Sequence, residues 1–526
     1  MIVLALISLV AQSGDASIGG TVVDRLTQAP LARARVTLRQ TQSGQLAGTA
    51  VSDSGGKFKL SGLAAGKYSL DAERLGYRPQ GYNQKDLAFG LRSAIVVGPG
   101  EEIEGLVFAM TKAGALAGRV SDGNGDPVRN AEVQSYLISG QGEHRTAYRI
   151  LRTTTNDLGE YRIQPLAPGT YAVSVAGHPW TRRARNEIGV AENEGTAYPV
   201  TFYPASMNPS NAAYLNVSAG QTVRADITLA PLPAARLRLV LGAALAAKPG
   251  SVRAVIANAG PLGTNSYNST YYFTGQPEKE IDDLAPGHYQ VWLYEGENVV
   301  GMTAFELTRS AVVRVGDQPM TTVHGTVKLE AGSKAEGELF VRLSQLSGIR
   351  GVSVKPVAAD GTFSFSWTTP GRYSVAVAGG RESVLTALEA KGAALREGIL
   401  DVPATGDVEL SLTVSTNVKQ VVGFVRQGKQ AISGALVVLV PRDLRDDFSL
   451  YRFDQSDSDG SFTWYGVLPG EYLAFAFADA LRSDYDSAAI FRPLGSLGQP
   501  VTIHSTKGEA VNVNITPLAE PKQPGK

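Results

Sequence analysis

The sequence predicts an all-β protein: an extended string of about five small sandwich domains. Three observations carry that expectation. The chain has 526 residues, too long for one sandwich and within the length prior for several domains. Gly is abundant (58), and Val, Thr, Tyr and Leu are common, the mixture of many short strands joined by tight turns. Above all, a pair of turn signals, each followed by an aromatic, recurs along the chain.

From the N-terminus, Ile2 to Val10 is an apolar run ending in the small and polar residues Ala11-Gln12-Ser13, the pattern of a secretory signal peptide over residues 1–13. The run is too short to cross a bilayer, and no later stretch is long and apolar enough to do so, so no transmembrane span is expected in the mature chain. The expected location is exported: periplasmic, cell surface or extracellular. Sandwiches are then expected over 14–112, 113–232, 233–318, 319–418 and 419–518, with the third degenerate. A polar tail over 519–526 is expected to be disordered.

The repeat sets those divisions. Asp53-Ser54-Gly55-Gly56-Lys57-Phe58 is followed by Leu63-Ala64-Ala65-Gly66-Lys67-Tyr68. Asp157-Leu158-Gly159-Glu160-Tyr161 is followed by Leu166-Ala167-Pro168-Gly169-Thr170-Tyr171. Asp360-Gly361-Thr362-Phe363 precedes Pro370-Gly371-Arg372-Tyr373, and Asp459-Gly460-Ser461-Phe462 precedes Leu468-Pro469-Gly470-Glu471-Tyr472. In these four copies the two aromatics are ten residues apart. A fifth copy keeps only Leu284-Ala285-Pro286-Gly287-His288-Tyr289. The clear units open on Gly20-Thr21-Val22, Gly118-Arg119-Val120, Gly325-Thr326-Val327 and Gly423-Phe424-Val425; the third opens on Arg236-Leu237-Arg238-Leu239. A repeat of about one hundred residues is the size of an immunoglobulin-like sandwich.

The motif's chemistry is structural. Gly after the acid supplies positive φ at a hairpin turn. The aromatic starts a strand of period-two alternation, and the second turn leads into a Tyr whose ring packs while its hydroxyl finds a backbone partner.

These residues resemble the carboxypeptidase regulatory-like domain, a transthyretin-like sandwich grouped with carbohydrate-binding-like folds. The second-strand pattern fits at Pro30-Leu31-Ala32-Arg33-Ala34-Arg35-Val36 and at Pro127-Val128-Arg129-Asn130-Ala131-Glu132-Val133, and without the Pro at Ile432-Ser433-Gly434-Ala435-Leu436-Val437. The resemblance implies a fold and no reaction.

Composition narrows function. Lys+Arg and Asp+Glu both number 49, which gives no argument for nucleic acid. There is no Cys, which excludes disulfides, zinc–thiolate sites and Cys nucleophiles. His144, His178, His288, His324 and His504 are scattered, with no zinc-peptidase spacing, and no nucleophile elbow occurs. No catalytic residue, cofactor or metal is therefore expected. Asp454, Asp457 and Asp459 before Gly460 resemble part of a calcium loop, but further oxygen ligands are missing and the turn reading is preferred. Lys328 is the one Lys placed as an isopeptide donor would be, without a clear partner.

Aromatics leave one binding reading open. Trp180, Tyr198, Phe202 and Tyr203 lie in an insertion of the second unit and are the candidate carbohydrate-binding residues. Phe462 and Trp464 share a strand face and are expected in a core. Two functions follow: a non-catalytic interaction protein meeting an envelope or extracellular protein, or an array of modules recognising polysaccharide through exposed aromatics.

Overall fold

In the computed structural model the described residues are 14–84, 91–139, 145–179, 195–261, 265–296, 298–317, 321–334, 337–345, 352–368, 370–379, 383–396, 398–444, 450–478, 488–504 and 511–518. The expected signal segment 1–13 and tail 519–526 lie outside them. Among the described residues the strands gather around five main hydrophobic cores, drawn from residues 16–110, 116–229, 235–315, 323–414 and 421–515, with a smaller cluster of Tyr136, Ala147 and Ala172 in the second domain.

One sheet of each domain is organised by its opening strand. Ala16–Asp24, Gly114–Asp122, Ala235–Leu241, Thr321–Leu329 and Lys419–Gln427 each pair antiparallel with the strand that precedes the Tyr strand: Lys57–Leu63, Glu160–Leu166, Glu278–Leu284, Thr362–Thr368 and Ser461–Val467. On its other side each opening strand pairs parallel with a closing strand, as Ala16–Asp24 does with Glu102–Met110 and Thr321–Leu329 with Asp407–Ser415. The second sheet centres on Arg35–Gln40, Glu132–Ser139, Val252–Ala259, Phe340–Gln345 or Leu436–Pro441. Each of these is flanked by a hairpin partner and by the Tyr strand. The third domain has this whole topology despite its weak motif, because Leu237, Leu239 and Leu241 keep the inward alternation on which the pairing depends.

The motif residues do what the sequence asks of them. Gly56, Gly159, Gly361 and Gly460 stand at φ between 73° and 84°, where a Cβ would be strained. Phe58, Tyr161, Phe363 and Phe462 enter the cores, as do the tyrosines ten residues on. The hydroxyl of the core Tyr closes on the carbonyl four residues earlier: Tyr68 to Ala64 at 2.7 Å, Tyr171 to Ala167 at 2.9 Å, Tyr289 to Ala285 at 2.6 Å and Tyr472 to Leu468 at 3.0 Å. The bond ties the second turn to the strand it launches and satisfies a hydroxyl that burial would otherwise strand. Trp464 is in the fifth core against Phe462, with ring centroids 4.5 Å apart.

Two compact units result. One holds residues 1–113, 419–444 and 451–526; the other holds 114–418 and 445–450. The first unit thus combines the first and fifth domains. A string in which each domain touches only its sequence neighbours does not contain that contact. The turn of the fifth domain seats on a sheet edge of the first, and polar groups on both sides supply the reason.

Candidate functional site

The insertion in the second domain was the place the sequence marked for binding. Trp180 lies outside the described residues. Two of the other three candidates belong to the protein's interior. Tyr198 and Phe202 are 8% and 1% exposed, and Tyr203 is half-buried. Tyr198 joins the second core, with Tyr203 packed against it. Thr201–Phe202 adds a short strand to the Tyr strand Gly169–Ala176. The segment then folds on itself, with Ser206 N–H donating to the Phe202 carbonyl at 2.8 Å and Ala213 N–H to that of Tyr203 at 2.9 Å. Burial lifts the Tyr198 hydroxyl above the usual tyrosine range, helped by the charges of Asp122 and Asp126. The exposed-aromatic reading is therefore corrected for Tyr198 and Phe202: a ring committed to a core has no free face for a sugar. The sequence could not separate the cases, since an edge-strand aromatic and a rim aromatic are the same residue type in the same polar surroundings.

Sequence reasoning missed the outer face of that domain's second sheet. Strand Glu132–Ser139 does not alternate; Gln134, Ser135 and Tyr136 are all buried. The Tyr136 hydroxyl donates to Gln134 Oε1 at 2.8 Å, and Gln134 Nε2 donates to Glu132 Oε1 at 3.0 Å. Tyr267 of the third domain closes this network, its hydroxyl lying 2.8 Å from the Glu132 carbonyl, 3.0 Å from that of Ser174 and 3.3 Å from Ser174 Oγ. Burial holds its hydroxyl well above the usual range. No local signal marks the covering, since a polar run such as Gln134-Ser135-Tyr136 reads as a solvated face until a neighbouring domain is placed on it. Tyr267→Phe removes the single hydroxyl proton that the Glu132 and Ser174 carbonyls share, at a cost of about 1–3 kcal/mol. Calorimetry is expected to show the transitions of the second and third domains moving apart, and an unchanged thermogram would refute that role.

The third domain carries a row of aromatics on the outer face of one sheet. Val291 and Leu293 point into its core, which turns Trp292 and Tyr294 to the opposite face, where both are half-buried. Strand pairing aligns Tyr272, Arg253 and Tyr294 in one row across three strands, and Thr270, Val255, Trp292 and Met302 in the next. Tyr272 is 61% exposed, and the Arg253 guanidinium lies 4.1 Å from the Tyr294 ring centroid.

The third cluster is the acidic turn of the fifth domain. Backbone bonds place Asp53, Asn156, Ala358 and Asp457 at the same turn position, each with its N–H on the carbonyl of the residue four ahead. Asp53 and Asn156 cap their own turns, each Oδ1 accepting the N–H groups two and four residues on. So Asn156, not Asp157, is the second domain's counterpart of Asp53. Asp457 is turned elsewhere. Its Oδ1 accepts Ala94 N–H at 2.8 Å, and its Oδ2 accepts Lys67 Nζ at 2.6 Å, both from the first domain. Asp459 closes the local turn instead, accepting Ser461 N–H at 2.9 Å. Asp454 sits beneath, accepting Gln455 N–H at 2.8 Å and Thr463 N–H at 2.7 Å. Desolvation raises its pKa to about 6 against those two bonds, with the Asp457 charge adding to the rise and Lys67 opposing it. These three acids are a turn and a domain contact, and their oxygens face N–H and ammonium donors. Among the described residues no group of three or more His, Asp and Glu could hold a metal ion. Lys328 is exposed on its strand. His324 Nδ1 lies 3.1 Å from Asp407 Oδ1, a surface pair.

The family model of the carboxypeptidase regulatory-like domain matches residues 17–111 and again 115–230. The two matches fall on the first two domains, where the motif is clearest. No curated protein matches the chain. Among solved structures, the minor pilin of Streptococcus agalactiae is 16% identical, covering 41% of this chain and 97% of that one with a TM-score of 0.22. A streptococcal ancillary pilin is 12% identical over 57% of this chain and 98% of that one, with a TM-score of 0.19. The TIE protein of Bacillus anthracis is 11% identical over 73% and 69%, with a TM-score of 0.14. Superposition at such scores fixes neither a common arrangement nor a shared activity.

Proposed function

We propose that this is an exported, non-catalytic interaction protein whose sandwich domains present binding surfaces in the cell envelope or outside the cell. The observation that carries this reading is where the reactive groups go. The repeated acids cap turns, the repeated tyrosines close on backbone carbonyls, and the Asp457 carboxylate of the fifth domain holds the first domain. A general acid or base needs a group free to exchange protons with a substrate, and a nucleophile needs an adjacent base. These groups are occupied by structural donors and acceptors. The purified chain is expected to show no turnover of peptide or glycoside substrates. Turnover abolished by one substitution in the chain would overturn the reading.

A second reading has an observation of its own. The row Tyr272, Arg253 and Tyr294, beside Trp292, offers flat rings and a multidentate donor on one sheet face, the chemistry that stacks on the apolar faces of pyranose rings and bonds their hydroxyls. If polysaccharide is the ligand, this face of the third domain is the place for it. Affinity electrophoresis in gels containing polysaccharide is expected to retard the chain, with retardation lost in Tyr272→Ala and Trp292→Ala. Retardation indifferent to both changes would remove this face from consideration.

A further inference from the structure

A dense set of polar and backbone hydrogen bonds joins the first and fifth domains. On the first domain, strand Ile95–Val97 is the outer neighbour of the Tyr strand and presents its free edge. Ser458 N–H donates to the Ala94 carbonyl at 2.9 Å, and Val96 N–H donates to Ser458 Oγ at 2.9 Å. Ser93 Oγ donates to the Ser456 carbonyl at 2.7 Å, and Asn83 Nδ2 to Ser433 Oγ at 3.2 Å. Gln455 Nε2 reaches both the Asn83 carbonyl and Ser93 Oγ. Lys67 completes the set on Asp457 and Ser461. The apolar cores of the two domains do not merge: one draws only on residues 16–110, the other only on 421–515.

Separation uncovers groups that water can satisfy, so the contact opens at modest cost compared with parting an apolar interface. Once open, the first domain bears an uncapped sheet edge and a Lys, and the fifth bears the matching donors and carboxylate. An unpaired edge is a template for another chain. The two halves lie more than 350 residues apart in sequence and are covalently joined only through the intervening domains.

We propose that this contact is an exchangeable latch: the Asp457 turn of the fifth domain docks on the Ser93–Val96 edge of the first, and a second copy of this chain fits the same edge with its own fifth domain. Domain exchange of this kind adds no new contact chemistry, and protein concentration decides between closure within one chain and pairing between two. The diversion of Asp457 from its own turn, with Asp459 taking over the cap, is the feature that specifies the latch.

The absence of Cys gives a clean test. Asn83 and Ser433 are half-buried and face each other across the contact. Full-length Asn83→Cys and Ser433→Cys chains, mixed at high concentration and treated with a short bis-maleimide, are expected to give a heterodimer in excess of either homodimer. The double variant at low concentration is expected to give a cross-linked monomer instead. Asp457→Ala, with Trp464 fluorescence confirming an intact fifth domain, is expected to reduce both products. A cross-linked monomer without heterodimer from the mixture would overturn exchange. Products indifferent to Asp457→Ala would overturn its part in the latch, and no cross-linked product at all would overturn the contact.

Discussion

Alanine at Gly20 is expected to unfold much of what the first domain gains by closing its sheet, whereas alanine at the neighbouring Gly19 is expected to be harmless. A Cβ at Gly20 would stand 2.3 Å from the Leu106 carbonyl oxygen and 3.0 Å from its carbon. Those atoms belong to the parallel closing strand, which bulges between its pairings with Ile18 and Gly20, so the backbone itself must move. Forcing such a shift costs about 1–3 kcal/mol, and each kcal/mol lowers the melting temperature of a domain this size by about 4–8 °C. At Gly19 the nearest atoms are carbonyl oxygens at 3.8 Å, ordinary contact distance. Replacing that Gly removes chain entropy from the unfolded state and is expected to be neutral or stabilising by up to about 1 kcal/mol. The same approach recurs at Gly118, 2.2 Å from the Ala225 carbonyl, and at Gly325, 2.0 Å from that of Leu410. Hydrogen exchange of first-domain amides in the full chain measures both variants. Equal effects at Gly19 and Gly20 would refute the steric account.

Acidification is expected to stabilise the fifth domain, contrary to the usual behaviour of carboxylates. Asp454 has a folded pKa raised to about 6 by burial, above its ordinary value of 3.8. The native state therefore binds its proton more tightly than the unfolded state. Above about pH 6 the domain carries the full cost of a desolvated charge, and that cost is relieved as pH falls from about 6 towards about 4. The stabilisation gained over that interval is at most about 3 kcal/mol. The Asp457 carboxyl is raised as well, again chiefly by desolvation, and adds to the trend. Exchange protection of strands Leu436–Pro441 and Ser461–Val467 is expected to increase over the same interval. In Asp454→Asn the pH dependence is expected to flatten, while one of its two backbone donors loses its acceptor. Protection that falls with acid in the parent chain would reverse the assignment.

The sequence carried the repeat, its turns and its core tyrosines because each needs a residue type that few alternatives can replace: Gly at positive φ, or a ring with a hydroxyl at its tip. It carried the reason for the opening Gly less well, since a close backbone approach leaves no local pattern. The third domain shows the other limit, where alternating Leu237, Leu239 and Leu241 sufficed for a full sandwich with little of the motif. The fate of Tyr198 and Phe202 was illegible, because only their strand neighbours decide whether an aromatic beside a turn faces in or out. Asp457 was hidden for a different reason. As a turn residue it already had an explanation, and nothing in its local sequence distinguishes capping its own loop from holding a distant domain.

That distant contact also orders events in time. The Ser93–Val96 edge emerges early, but the turn that covers it follows only after more than 350 further residues. At synthesis rates of about 5–20 residues per second, the edge stays uncovered for roughly 20 to 70 seconds. Through that interval a nascent first domain is complete in its core yet unfinished at its rim, and a chaperone or a neighbouring chain has its best opportunity there.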